Sequence, residues 1–222
     1  MPEVSLCQRS VPEVSERLRC ARDGASQERR ISVIGVDLSP RAIALLRASP
    51  EYIAPHVHAF VWDAAADEGD EAGGAREPAE LAWLAGRVDV VTCIFSLSAM
   101  EEARQRLAVR RAGGLLRAGG RLLVRDYAVG DLAQLRQRDG SCLGRHLYCR
   151  GDLTLVNYLD VQRLCALMAG EGLARVWCEV ESRAVLNRAT NTSMPRRWIH
   201  AEFCKPLSAQ PLCTPCPVTS QK

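Results

Sequence analysis

No apolar run in these 222 residues reaches the roughly 18 that a membrane-crossing helix needs, so no membrane segment is expected. The first residues also lack the apolar segment of a secretory signal. The ten cysteines are therefore read as reduced thiols, with a cytoplasmic setting expected and a nuclear or mitochondrial one also consistent. They show no paired framework: VVTCIF and RLCALM place cysteine inside apolar runs, where it serves as a small hydrophobe. Only Cys213 and Cys216 form a C-x-x-C, and one such pair without a second pair or histidines makes no zinc site, so no metal is expected. There is no internal repeat. Lysine is almost missing as well, since nearly all of the 29 basic residues are arginine. Arginine's planar fork suits phosphate recognition, although genomic base composition explains arginine richness equally well. A net charge of only +3 means that any basic face is local.

What is present is the pattern of a globular chain, 47% hydrophobic and 25% charged. ISVIGVDLS (31–39) reads as a strand ending in an acidic residue, and PRAIALLRAS (40–49) as a helix entered through Pro40. VHAFVWDA (57–64) is a second strand, 65–80 a loop, and VDVVTCIFSLSA (88–99) the most apolar run and best central strand. A charged helix over 101–117 is expected to stop at Gly119–Gly120, before the strand RLLVRD (121–126). A short helix near 131–137, an inserted loop or hairpin over DGSCLGRHLYCRGDLTLVNY, and an amphipathic helix over 161–173 follow. ARVWCEVESRAV and RRWIHAEFCK are expected to pair as an antiparallel hairpin. His146 and His200 read as surface or packing residues, and Arg150-Gly151-Asp152 as a turn in the insert.

Strands alternating with helices imply an α/β fold with a mostly parallel, doubly wound sheet. Ligands of such sheets sit beyond the carboxyl ends of the strands, which selects Asp37, Asp63, Ser96 with Ser98, and Arg125-Asp126-Tyr127. Asp37 suits the two hydroxyls of a ribose, and equally the cap of the following helix. Asp63 suits an exocyclic adenine amine or a solvated turn.

IGVDLSPRAI, FVWDAA, VDVVTCIFSLSAM, LLRAGGRLLVRDYAVGDLAQLR, LYCRGDLTLVNY and RRWIHAEFCKP occur in this order. Over about residues 31–207 this resembles the class I methyltransferases that make 3-methylcytidine in the tRNA anticodon loop. The first motif is common to many S-adenosylmethionine enzymes. RDY, DLAQLR, Y-x-RGD and W-I-x-x-x-F-x-KP are far more specific. The resemblance implies a Rossmann-like fold, S-adenosyl-L-methionine as cofactor and tRNA as partner, with a protein partner left open. It puts cofactor contacts on Asp37 (ribose), Asp63 and Ala64 (adenine region) and Ile94 (strand backbone). Cytosine N3 has a free lone pair, so methylation needs in-line placement rather than a strong base. A carboxylate near the ring would stabilise the cationic product, and an unpaired base is held by stacking. Asp126 and Tyr127 are the candidates for these catalytic tasks. Arg125, Arg136, Arg150, Arg196 and Arg197 are the candidates for RNA phosphates. An ion pair between Arg125 and Asp126 that merely holds the insert is the structural alternative.

The family's opening strand and its glycine-rich turn, E-x-G-x-G-x-G, have no counterpart in this sequence. VPEVSERLRCAR (11–22) resembles the helix that follows that turn. The expected organisation is thus a lead-in over 1–30, a methyltransferase domain incomplete at its N-terminus over 31–207 and a disordered tail over 208–222. The expected function is cytidine N3 methylation in tRNA, the alternative a catalytically inactive tRNA-binding or partner subunit.

Overall fold

The computed structural model describes residues 32–53, 56–66, 79–187 and 191–207. The predicted lead-in, most of the predicted loop over 65–80 and the predicted tail lie outside the described residues. The chain divides between Val61 and Trp62 into two compact units.

In the first unit, β1 (Val33–Asp37) and β2 (Val57–Val61) pair in parallel, from Val33 opposite Val57 to Asp37 opposite Val61. α1 (Pro40–Arg47) begins as its sequence dictates, with the Ser39 hydroxyl accepting from the Ala42 amide and proline in the first turn.

The second unit is built on a four-stranded sheet of β3 (Val88–Ile94), β4 (Leu116–Tyr127), β8 (Ala174–Asn187) and β9 (Thr192–Cys204), in the order β3-β4-β9-β8. β3 and β4 are parallel, while β9 runs antiparallel to both β4 and β8, giving the expected terminal hairpin. The helices are α2 (Ala79–Trp83), α3 (Glu102–Leu115), α4 (Leu132–Leu135) and α5 (Val161–Gly170). The insert is a three-stranded antiparallel sheet of β5 (Cys142–Gly144), β6 (Leu147–Cys149) and β7 (Leu155–Asn157). Leu122, Val124, Ile199, Ala201 and Phe203 from the sheet bury themselves with Val109 of α3 and Leu164 and Met168 of α5. Each large aliphatic side chain so buried contributes about 1.5–3 kcal/mol.

One boundary differs from expectation. The helix ends at Leu115, and the pair Gly119–Gly120 lies inside β4, where the β3–β4 register slips between Val88 and Val90. Gly119 holds φ +75°, which favours glycine, and a methyl group on Gly120 would stand 2.9 Å from the Arg117 carbonyl oxygen. Thus the glycines serve a close backbone approach within the strand rather than a helix stop. Among the described residues no helix is long and apolar enough to cross a membrane, and no group of three or more His, Cys, Asp or Glu gathers as metal ligands.

Candidate functional site

The period of two along a strand divides the RDY sequence between the two faces of the sheet. Arg125 stands opposite His200 and Tyr127 opposite Trp198, while Asp126 stands opposite the fully buried Ile199. Arg125 and Tyr127 therefore share one face, and Asp126 points into the core.

On the first face, aromatic rings and guanidinium groups converge. The Tyr127 ring lies 4.9 Å from Phe95 and 6.2 Å from Tyr158, which in turn meets Tyr148 edge-on at 5.9 Å. Arg150 and Arg196 each place a guanidinium 5.6 Å from the Tyr127 ring centre. Arg196 also stands 5.6 Å from Trp198, and Arg125 sits between Trp198 at 5.3 Å and Phe95 at 5.9 Å. The Arg125 Nε is buried with no hydrogen-bond partner. Phe95, directly after β3, holds φ +52°, a left-handed conformation that costs a non-glycine residue about 1–3 kcal/mol. Its amide donates to the Arg125 carbonyl at 2.8 Å, which fixes the bend against β4.

The Asp126 carboxylate has no exposed surface. Its Oδ2 accepts from the Ser98 amide at 2.9 Å and its Oδ1 from the Tyr127 amide at 2.8 Å. Burial raises its pKa, and these hydrogen bonds oppose the rise. The same burial, helped by the Asp126 charge, pushes the Cys93 thiol up to about 11. Asp126 thus pins the turn at Leu97–Ala99 that follows β3.

A second buried carboxylate carries weight that sequence reasoning missed. Asp131 is fully buried, caps α4 through the Ala133 amide at 2.8 Å, pairs with Arg196 Nε at 2.9 Å and accepts from the Arg197 amide at 2.8 Å. Hydrogen bonding and charge from Asp131 hold Arg196 protonated against the burial that opposes it. The signal available was the helix-cap position of the aspartate in GDLAQL. Gln134 of the same helix accepts from the Gly130 amide and meets His146 Nδ1 at 3.1 Å.

The structure thus brings Arg125, Tyr127, Arg150 and Arg196 together. It does not bring Arg136, exposed at the end of α4, or Arg197, which alternation turns to the opposite side of β9 from Arg196. Arg150 sits in the expected turn, its amide bonded to the Thr154 carbonyl.

Of the residues expected near a cofactor, Asp37 belongs to the first unit, exposed, with Oδ1 accepting from the Ser39 amide at 2.7 Å. Asp63 stands two residues past the end of β2. Its Oδ1 accepts from the Ala65 amide at 2.8 Å, and its Oδ2 lies 3.7 Å from Arg104. The carbonyls of Asp63 and Ala64 both accept from Arg111. Ile94 ends β3, opposite Arg125.

A family model described as a methyltransferase domain matches residues 19–122. The chain is 36% identical over 172 residues to the tRNA N(3)-cytidine methyltransferase METTL2 of Danio rerio, covering 78% of this chain and 46% of that protein. It is 36% identical over 171 residues to METTL2B of Homo sapiens, covering 77% and 43%. For the tRNA N(3)-methylcytidine methyltransferase trm140 of Schizosaccharomyces pombe the identity is 32%, covering 79% and 53%. The chain therefore spans about half the length of the curated relatives it matches. Among solved structures, a SAM-dependent methyltransferase of Methanosarcina mazei superposes with a TM-score of 0.57 at 13% identity, covering 80% of this chain and 83% of that one. One from Anabaena variabilis gives 0.56 at 10%, covering 78% and 68%. These likenesses establish the Rossmann-like class I methyltransferase fold.

Proposed function

We propose, on the premise that this chain is a sequence relative of the tRNA N(3)-cytidine methyltransferases, that it acts in methylating N3 of a cytidine in the tRNA anticodon loop. S-adenosyl-L-methionine is the methyl donor and tRNA the macromolecular partner. The observation that carries the reading is the cluster of Phe95, Tyr127, Trp198, Arg125, Arg150 and Arg196 on one face of the sheet. Flat π-faces hold an unpaired base by stacking, and arginine forks hold the phosphates on either side of it.

Taken singly, the expected donors suit the cofactor. The exposed Asp37 carboxylate has one oxygen engaged by the Ser39 amide, and so fits a ribose hydroxyl pair. Asp63 and Ala64 are the residues for the adenine region and Ile94 for a backbone contact. When bound, the cofactor would supply a methyl group on a sulfonium, an electrophile that a neutral lone pair attacks directly while the sulfur leaves as a neutral thioether. The chain needs no strong base for that step. Its own task is to hold the cytosine ring still and to meet the positive charge that the ring acquires.

For the second task, Tyr127 and Phe95 offer the negative faces of their rings. Asp126 serves in this reading as a positioning residue. By tying Ser98 to β4 it keeps the strained Phe95 bend, and hence the ring beside Tyr127, in place. Arg136 and Arg197, outside the cluster, are left as peripheral phosphate contacts.

The test is formation of 3-methylcytidine in unmodified tRNA incubated with the protein and labelled donor, read by nucleoside mass spectrometry and paired with a salt titration of tRNA binding. Replacing Arg125, Arg150 and Arg196 together should lower the slope of log affinity against log salt by about 2, at roughly 0.7 per phosphate contact on single strands. Salt-dependent binding without methyl transfer would make the chain a tRNA-binding relative rather than an enzyme. Methyl transfer to a different acceptor would overturn the reading.

A further inference from the structure

On the helix side of the sheet, away from the aromatic cluster, two cysteines pack against the same core. Cys165 lies on α5 and Cys178 on β8, and both are half-buried against the hydrophobic core. Arg175 of β8 reaches Cys165 Sγ with Nη1 at 4.0 Å. Residues three apart on a regular strand face opposite sides, so Arg175 and Cys178 should not share a face. An irregularity between Arg175 and Trp177 changes that: Arg175 stands opposite Phe203 and Cys178 opposite Ala201, and both partners point into the core. The bulge thus puts the guanidinium that reaches Cys165 and the Cys178 thiol on the same, core-facing side of β8. Each of the two thiols perturbs the other's ionisation. Hydrogen bonding from Cys178, and then the Arg175 charge, hold the Cys165 thiol below its ordinary range. Cys178 is held above it, by the bond to Cys165 and by burial. One sulfur is thus readied as a thiolate and the other kept as a thiol, the division of roles that a reactive pair requires.

We infer that Cys165 and Cys178 form an oxidisable dithiol, a modification site that takes a hydroperoxide as co-substrate and yields a disulfide joining α5 to β8. The Cys165 thiolate attacks one peroxide oxygen. The S–O bond forms as the O–O bond breaks, and the departing hydroxide takes a proton from solvent to become water. The Cys178 sulfur then attacks the sulfenic sulfur. The S–S bond forms as the S–O bond breaks, and the Cys178 proton leaves with that oxygen as a second water. Two thiols lose two electrons in all, and the peroxide gains them.

The experiment is a titration of the whole chain with hydrogen peroxide at pH 7, at low protein concentration, followed by thiol blocking, trypsin and mass spectrometry without reduction. Trypsin places the two cysteines in separate peptides, 164–175 and 176–183. The expected product is these two peptides joined with loss of two hydrogens, formed several-fold faster than oxidation of the exposed Cys142 and reversed by dithiothreitol. In Cys178→Ser the second step is blocked, and a sulfenic acid that dimedone traps should accumulate on Cys165. Arg175→Gln should slow the wild-type reaction several-fold at pH 6 and little at pH 9, where a thiolate forms without help. If the wild-type chain links Cys165 to some other cysteine, or oxidises it no faster than Cys142, the inference is wrong. That outcome does not depend on any variant folding.

Discussion

The two faces of the β4–β9–β8 sheet are made by the same strands and have almost nothing in common. Toward α3 and α5 stand Leu122, Val124, Ala128, Ile199, Ala201 and Phe203, all buried. Toward the other side stand Arg121, Arg125, Tyr127, Trp198, His200 and Glu202, joined across β8 by Trp177, Glu179, Glu181 and Arg183. There the contacts are polar: Arg121 pairs with Glu202 at 2.8 Å, Trp177 donates to Glu202 at 2.9 Å, and Glu181 meets Arg183 at 3.0 Å. A sheet with helices packed on both faces shows near-continuous apolar runs. These strands alternate instead, so one face is buried and the other polar. Asp126 and Arg125 are the two charged groups that stand out, one on each face. On the apolar face, Asp126 accepts from the Ser98 and Tyr127 amides. On the polar face, Arg125 has a buried Nε without any partner.

The sharpest way to break the contrast is to remove the exception on the apolar side. Asp126→Ala leaves the Ser98 and Tyr127 amides without this acceptor, which is expected to cost about 3 kcal/mol. Urea unfolding would read the loss. Asp126→Asn should recover only part of it, since its NH2 group would face donors. A loss under about 1 kcal/mol would show that the turn at Leu97–Ala99 does not depend on this carboxylate.

Next in size is the pair linking the polar face to α4. Arg196→Ala strands the buried Asp131 with only its amide donors, and removing one partner of a partly buried pair is expected to cost about 2 kcal/mol. Arg196→Lys should keep the charge but lose the stacking on Tyr127 and Trp198. The two variants therefore separate stability from tRNA affinity, the first moving both and the second mainly affinity. Smaller again is Tyr127→Leu, which keeps apolar bulk and discards the ring contacts with Phe95 and Tyr158. Such contacts contribute about 0.5–1.5 kcal/mol, so thermal unfolding should shift little. Methyl transfer, in contrast, should fall by at least tenfold. A variant that retains full activity would move the stacking role elsewhere.

How much of this was legible follows the same division. The strand positions, the helix start at Pro40 and the C-terminal hairpin could be read because each rests on local chemistry: a proline, an alternation of residue types. RDY could be located but not oriented, because the side of a sheet on which Arg125, Asp126 and Tyr127 fall depends on the partner strand, 73 positions away in the case of Asp126 and Ile199. Gly119–Gly120 misled for a related reason. The pair suits a helix stop by propensity, but the close approach of the Arg117, Val88 and Asp89 carbonyls places it within β4. Asp131 was passed over because a helix cap accounts for an aspartate without remainder, and its second partner, Arg196, lies 65 residues on.

The smallest effect tests the character of the polar face. His200 is flanked there by Arg125, Glu179, Glu181 and Arg183, with Glu181 Oε2 3.2 Å from its Nε2. Burial lowers its pKa, and Arg125 lowers it further against the pull of the two glutamates. The sign follows from proton counting. Below the unfolded value of 6.5 the unfolded chain binds a proton that the folded chain resists, so His200 costs stability as pH falls through that value toward the folded one. Above it His200 contributes nothing to the pH dependence. Replacement by Gln, which keeps the size and cannot titrate, should remove this slope. Unfolding free energies of wild type and His200→Gln at pH 8 and pH 5.5 would show the wild type losing a few tenths of a kcal/mol relative to the variant. A relative gain on acidification would mean that Glu179 and Glu181 outweigh burial and Arg125. The face would then attract a proton where the proposed interface requires that it attract phosphate.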